Sequence, residues 1–512
     1  MKHKHLDVLI IGAGLSGVGA ACHLSRKCPH LRYGILERRK RVGGTWDLFR
    51  YPGIRSDSDM FTLGYNFRPW TDTKMLADGP SIRKYIEETA EQHQVIKHIQ
   101  FGLKVISEDW SSDFNRWTVT AINEETGEEQ TFTAGFVLNC TGYYNYDAGH
   151  TPKIPGINRF DGDVIHPQHW PENYDYSGKR VVVIGSGATA VTLVPAMTDK
   201  AEHVTMLQRS PTYVASVPEQ DLISKNLRRV LPEMVVYRMA RTRNILLQRT
   251  VFNLSIRKPK AIRRILLAAA RKQLGPEIDM KHFQPHYNPW EERMCAVPKG
   301  DLFKVLREGK ASVVTDHIQN ITKTGIKLKS GDWIPADIII TATGLDLQMF
   351  GGADLRVDGK NVNISNSIMY KGLMLENVPN MSLVFGYTNA SWTLKADIAS
   401  EFVCRLLKHM QKTGTEKVTP VDKEDCRSDI NFLNLRSGYI QRADERLPRQ
   451  GNKDPWQNLN DYLHDLPALR YGKMDDGYLK FEGANLHKAK RSLVQHLLCL
   501  LYTSDAADDL LC

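Results

Sequence analysis

The chain carries one local pattern twice: an apolar strand that runs into a glycine turn and opens a helix. The first copy is His5–Ile11, then Gly12-Ala-Gly-Leu-Ser-Gly17, then Val18–Ser25 with helical character. The second is Lys179–Ile184 followed by Gly185-Ser-Gly-Ala-Thr-Ala190. A strand feeding a helix in this way returns by a right-handed crossover and so builds a parallel sheet flanked by helices. Two such units in 512 residues predict an α/β protein with two Rossmann-like dinucleotide-binding domains. In each, the first glycine (Gly12, Gly185) permits the tight turn. The second (Gly14, Gly187) lets a pyrophosphate approach the backbone, and the third position (Gly17, Ala190) lets helix and strand pack closely. The helix start offers oriented N–H groups to the phosphates.

The second strand of each unit ends differently. Tyr33–Leu36 is a strand that ends in Glu37, the place where an acid bonds a ribose 2′-hydroxyl. The corresponding strand His203–Leu207 ends in Gln208-Arg209-Ser210, so the acid is gone. An arginine fork can pair with a 2′-phosphate where a carboxylate would repel it. With Arg209 and Ser210 at its rim, the second pocket is expected to take NADPH over NADH. The alternative for Arg209 is a solvated cation at a strand end.

Longer strings connect the two units. Gly43-Gly44-Thr45-Trp46 opens a segment that runs through Tyr51-Pro-Gly53 to Asp57 and matches the pattern GGxWxxxxYPGxxxD at every fixed position. Val137–Gly142 and Ile338–Gly344 are two strand-to-glycine crossings. Between them lies Phe160-x-Gly162-x-x-x-His166-x-x-x-Trp170-Pro171. With Val181–Ala196 and Tyr387–Asp397, these strings resemble the type I Baeyer–Villiger monooxygenases of the flavin-containing monooxygenase superfamily. The likeness runs from about Leu6 to about Phe481.

That resemblance implies FAD in the first pocket, with Gly44, Thr45 and Trp46 as its second contacting segment, and NADPH in the second. It implies a reaction with O2 in which a flavin peroxide converts ketones to esters or lactones, with oxygenation of thioether or thioamide sulfur also open. Arg293 stands where the family places its catalytic arginine, a charge that cannot be lost. Asp57 is its candidate partner and also a cofactor-pocket residue. The bland alternatives are a surface arginine and an aspartate that caps a turn. Phe160, Gly162, His166 and Trp170 form the linker, in which His166 is expected to bond across domains and set their motion, not to act as acid or base. Ser391 and Trp392 resemble the loop bordering the substrate pocket, with core packing as the other reading of the tryptophan. One departure stands out: Glu292 precedes Arg293 where several family members carry a lysine. Two competing readings remain. An S- or N-oxygenating flavin enzyme would not need Arg293, and a non-catalytic, membrane-associated flavin binder would need neither Arg293 nor the second turn.

The expected division is residues 1–150 (FAD domain, first part), 151–213 (NADP domain, first part, with the linker), 214–285 (helical insertion), 286–344 (NADP domain, second part) and 345–485 (FAD domain, second part). In the insertion, Leu222–Val230, Val235–Leu254 and Ala261–Leu274 read as helices punctuated by prolines, and the family places them over the nicotinamide domain. Between Glu219 and Gly275 there are roughly 14 Lys/Arg against 3 Asp/Glu, which accounts for the chain's net charge of +10. No nucleic-acid motif accompanies that charge. It reads as a solvated basic face or as a contact with anionic lipid. The eight cysteines show no CxxC and no metal-ligand spacing, so a cytoplasmic protein without a metal is expected, with peripheral membrane association left open. Cys499–Asp509 (CLLYTSDAADD) resembles a translated sequencing adapter, so residues 499–512 are set apart from the fold.

Overall fold

The computed structural model describes residues 5–292, 294–434 and 437–483. Arg293 and the adapter-like tail therefore lie outside the described residues.

Two sheets organise the molecule. The first has nine strands. Its parallel part is built from β1 (His5–Ile11), β2 (Tyr33–Glu37) and β3 (Ile99–Phe101). An antiparallel meander of β4 (Leu103–Ser111), β5 (Arg116–Asn123) and β6 (Glu129–Asn139) joins it through a parallel β6–β1 pairing. Strand Met381–Leu383 returns late in the chain and pairs with β6. β1 alternates between two cores, because successive side chains point to opposite faces. Val8 and Ile10 enter the core shared with helix α1 (Leu15–Lys27), and Leu9 and Ile11 enter the core on the other face.

The second sheet has five strands, all parallel, in the order β10–β9–β8–β11–β7. These are β7 (Asp163–Ile165), β8 (Arg180–Ile184), β9 (His203–Gln208), β10 (Ala311–Thr315) and β11 (Ile338–Thr341). β8 repeats the logic of β1: Val181 and Val183 face one core, Val182 and Ile184 the other. Helix α2 (Ala188–Met197) follows its glycine turn, as α1 follows the first.

The helical insertion departs from expectation. Its helices are α3 (Leu222–Leu227), α4 (Glu233–Arg257) and α5 (Pro259–Leu274). Pro259 does not break the pattern but starts α5, where a missing N–H costs nothing. The insertion does not simply cover the second sheet. Ala270 and Leu274 of α5 enter that sheet's core, whereas Tyr237 and Ala240 of α4 enter the core of the first sheet. The reason is polar. Arg241 of α4 donates to the carbonyls of Phe61, Thr62 and Gly64 and to the carboxylate of Asp397, which lies on helix α6 (Trp392–Thr413). The insertion thus bridges the two halves.

Candidate dinucleotide and oxygenation site

The two glycine turns have the same backbone construction. Gly12 (φ +98°) and Gly185 (φ +141°) adopt conformations that L side chains rarely reach. A Cβ at Gly12 would lie 2.7 Å from the Cys140 carbonyl, and one at Gly185 would lie 2.3 Å from that of Ala342. Cys140 and Ala342 sit at corresponding points of the two strand-to-glycine crossings. Gly14 and Gly187 are the N-caps of α1 and α2, and neither helix has a capping side chain or an acid in its first turn. The orphan N–H groups at each start are available to a phosphate. Gly187 has open space where a Cβ would be, and Ala190 at the third position is fully buried. At Gly17 a Cβ would fall 1.8 Å from the Gly12 carbonyl, so helix and turn touch there.

Glu37 ends β2 in the interior. Its carboxylate accepts from the backbone N–H of Ala13 (2.6 Å) and of Arg39 (2.7 Å). Burial pushes its pKa up, and these two bonds pull it back down. Each oxygen keeps lone-pair capacity for a ribose hydroxyl. The counterpart Gln208 is turned inward, its amide donating to the His282 carbonyl (2.7 Å) and the Thr315 hydroxyl (2.9 Å). Arg209 and Ser210 beside it are exposed, and the Ser210 carbonyl accepts from the Ser186 hydroxyl of the glycine turn. The Glu292 carboxyl, raised chiefly by burial, is held back mainly by Arg209. Glu292 therefore faces the candidate phosphate-binding arginine.

The segment from Gly43 to Asp57 links the turns. The Gly44 backbone rests on that of Gly14, and a Cβ at Gly44 would approach the Gly14 Cα to 3.0 Å. Thr45 begins a short helix and bonds the Tyr146 hydroxyl, and Trp46 packs on the first core. Leu48, Phe49 and Tyr51 then enter the core of the second sheet. The Tyr51 hydroxyl bonds Thr189 of α2, and Gly53 packs on Ala196 of the same helix. Arg55 forms an ion pair with Asp301 (2.7 Å), a contact with no local signal in sequence. Asp57 ends the segment exposed, near enough to Tyr51 to raise that phenol. The helix that follows is capped by Asp59, which accepts from the Thr62 N–H (3.1 Å).

The linker fastens the crossings together. His166 Nδ1 accepts from the Gln168 N–H (3.2 Å), so Nε2 carries the proton and donates to the Gly344 carbonyl (3.3 Å). Gln168 also donates to the Asn145 carbonyl (2.7 Å). One short turn thus grips both crossings, which bond each other through Asn145 and Asp346 (3.0 Å). Burial lowers the His166 pKa, which favours this neutral form. Gly162 lies against the Asp337 carbonyl and the Phe160 ring. Trp170 packs edge-on against Tyr174 and Tyr176 on the second core.

The loop before Arg293 hangs from the insertion. The Tyr287 carbonyl accepts from Tyr213 (2.7 Å) and from Arg263 of α5 (3.0 Å). Trp290, at φ +71°, packs edge-on against Phe252 of α4. A bulky residue in the left-handed region is strained, and strain of this kind concentrates at functional sites. Ser391 is buried, its hydroxyl 2.7 Å from that of Thr62. Trp392 donates to Ser16 in the first turn of α1 (2.7 Å) and joins an aromatic cluster with Tyr143 and Phe385. The six cysteines among the described residues are all buried.

Comparison with known proteins agrees with this arrangement. The chain is 55% identical over 487 residues to MymA of Mycobacterium tuberculosis, covering 94% of this chain and 98% of that one. It is 52% identical over 480 residues to the FAD-containing monooxygenase EthA of the same species, with 93% and 98% covered. Its fold matches a cyclohexanone monooxygenase crystallised with ε-caprolactone, at a TM-score of 0.72 and 21% identity, covering 93% of this chain and 100% of that one. Residues 10–73 match an NAD(P)-binding Rossmann-like domain, a description of the fold unit that the two dinucleotides share. Residues 65–418 match the flavin-binding monooxygenase-like model, and the chain belongs to that family.

Proposed function

We propose that the protein is an FAD- and NADPH-dependent monooxygenase that converts ketones to esters or lactones. One atom of O2 enters between the carbonyl carbon and its neighbour. The other leaves as water, and NADPH supplies the two electrons. The observation that carries this reading is the course of Gly43–Asp57, which starts on the first glycine turn and packs Tyr51 and Gly53 on the helix of the second. Two cofactors bound at these turns would meet over one shared space, with Asp57 at its edge.

When bound, FAD supplies electron exchange with the nicotinamide and the activation of dioxygen. The chain does the rest. Gly12, Gly14 and the start of α1 would hold the FAD pyrophosphate, and Glu37 a ribose hydroxyl. Gly185, Gly187 and the start of α2 would hold that of NADPH, with Arg209 and Ser210 at its 2′-phosphate. Arg293 stays protonated and stabilises negative charge on the oxygen presented to the carbonyl, and Asp57 orients the guanidinium. The ε-caprolactone bound to the cyclohexanone monooxygenase neighbour, a cyclic lactone, supports this choice of substrate class.

The test is a panel of cyclic and linear ketones and thioethers with purified, flavin-loaded enzyme, NADPH and air. Ester or lactone formation is expected, and Arg293→Ala should keep flavin while losing about a hundred- to a thousandfold of that rate. Sulfoxide as the only product, or ester formed by Arg293→Ala at the normal rate, would overturn the reading.

A further inference from the structure

Helix α4 shows many apolar side chains to solvent while it buries polar ones. Val236, Tyr237 and Ala240 pack inward, but they share that side with polar groups. Arg241, Asn244 and Ser255 are buried, and Asn244 and Gln248 both donate to Asp59 (2.8 and 2.7 Å). Val235, Met239, Leu246, Leu247, Val251, Leu254 and Ile256 of the same helix are all exposed. On the neighbouring helices, Leu222 and Ile223 of α3 are 63% and 59% exposed, and Ile265 of α5 is 63% exposed. Among the described residues, eleven of the seventeen exposed large apolar side chains lie between Leu222 and Ile265, less than about a tenth of the chain. Chance scatter does not concentrate them in this way.

Charge identifies what covers the patch. Lys225, Arg229, Arg238, Lys258, Lys260 and Arg264, in the same stretch of chain, are exposed, and none has a carboxylate within salt-bridge distance among the described residues. A second copy packed two-fold on this face would set these cations against their own equivalents. A lipid surface with anionic headgroups would neutralise them while its acyl boundary takes the leucines. No helix among the described residues is long and apolar enough to cross a membrane, so the contact is with the surface.

We propose that the outward face of α3, α4 and α5 docks on an anionic phospholipid bilayer. The same helices suspend the loop that leads to Arg293, through Phe252 and Arg263. The inference stands apart from the proposed chemistry, since vesicle binding does not depend on turnover.

The test is co-sedimentation of the flavin-loaded full chain with vesicles of phosphatidylcholine alone and of phosphatidylcholine mixed with phosphatidylglycerol. The protein should pellet with the anionic vesicles and be released by salt. The pair Leu246→Asp and Leu247→Asp should weaken binding at least about tenfold. The pair Lys260→Glu and Arg264→Glu should do the same. Flavin content and unfolding temperature should stay at the wild-type values, because all four side chains face solvent. Failure of the wild type to bind anionic vesicles overturns the proposal, as does binding indifferent to both pairs. So does a dimer in sedimentation velocity that Leu246→Asp dissolves, since the face would then belong to a second copy.

Discussion

Arg241 reaches Asp397 at 3.2 Å in the interior, an ion pair that ties the helical insertion to α6 of the first nucleotide domain. Asp397 also accepts from the Asn66 N–H (2.9 Å), and its other oxygen lies 3.1 Å from His23. Neither member of the pair has water to fall back on. Arg241→Met should cost about 3–5 kcal/mol, because it leaves a buried carboxylate and three carbonyls without their cation. Denaturant unfolding of the flavin-loaded protein, followed by fluorescence and by flavin release, measures this. A loss under about 1 kcal/mol would mean that the pair is solvated in solution.

The glycine turns can be separated by substitution. Gly12→Ala sets a methyl group against the Cys140 carbonyl on a backbone that resists it, and purified protein should come up largely free of flavin. Gly185→Ala makes the same error against Ala342, so flavin should stay while anaerobic reduction by NADPH slows at least about tenfold. Flavin absorbance and stopped-flow reduction read the two effects. Identical phenotypes would contradict the assignment of separate cofactors.

Coenzyme choice should depend on the pair Arg209 and Glu292. If Arg209 pairs with the 2′-phosphate as proposed, Arg209→Ala removes a charge-assisted contact worth about 1.5–3 kcal/mol, and the KM for NADPH should rise by about ten- to a hundredfold. The KM for NADH should hardly move. Glu292→Lys replaces the carboxylate that faces Arg209 and should lower the KM for NADPH. Steady-state kinetics with both coenzymes checks the pair.

His166 makes the linker sensitive to acid. Its pKa in the fold lies below the usual value of 6.5, chiefly through burial. As pH falls below that value the unfolded chain takes up the proton first, so stability is lost towards lower pH and is fully present above it. His166→Gln should flatten that part of the profile. Unfolding temperatures of the two proteins between neutral pH and about pH 5 give the comparison. An unchanged acid slope would assign it to other histidines lowered by burial, such as His150 and His282.

Much of the fold was legible because its signals are local. A strand, a positive-φ glycine and an uncapped helix start are neighbours in sequence, so His5–Gly17 and Lys179–Ala190 could be read directly. The charge of the insertion was legible too, but its orientation was not. Which face of α4 turns inward depends on Asp59, Phe61 and Gly64, which lie far away along the chain. The site was legible in part. The segment Gly43–Asp57 could be matched residue by residue, yet nothing local says that Phe49 and Tyr51 leave one core for another. Nor could the Arg55–Asp301 pair be foreseen across 246 positions.

The amino-acid sequence by itself determined two nucleotide turns, the loss of the acid at Gln208 and the concentration of cations in one insertion. Each is a property of residues side by side. Only the tertiary structure decided that His166 and Gln168 grip both crossings and that α4 buries its arginine while showing its leucines. Long-range burial set those outcomes, because a buried polar group must find its partner wherever the chain has placed one.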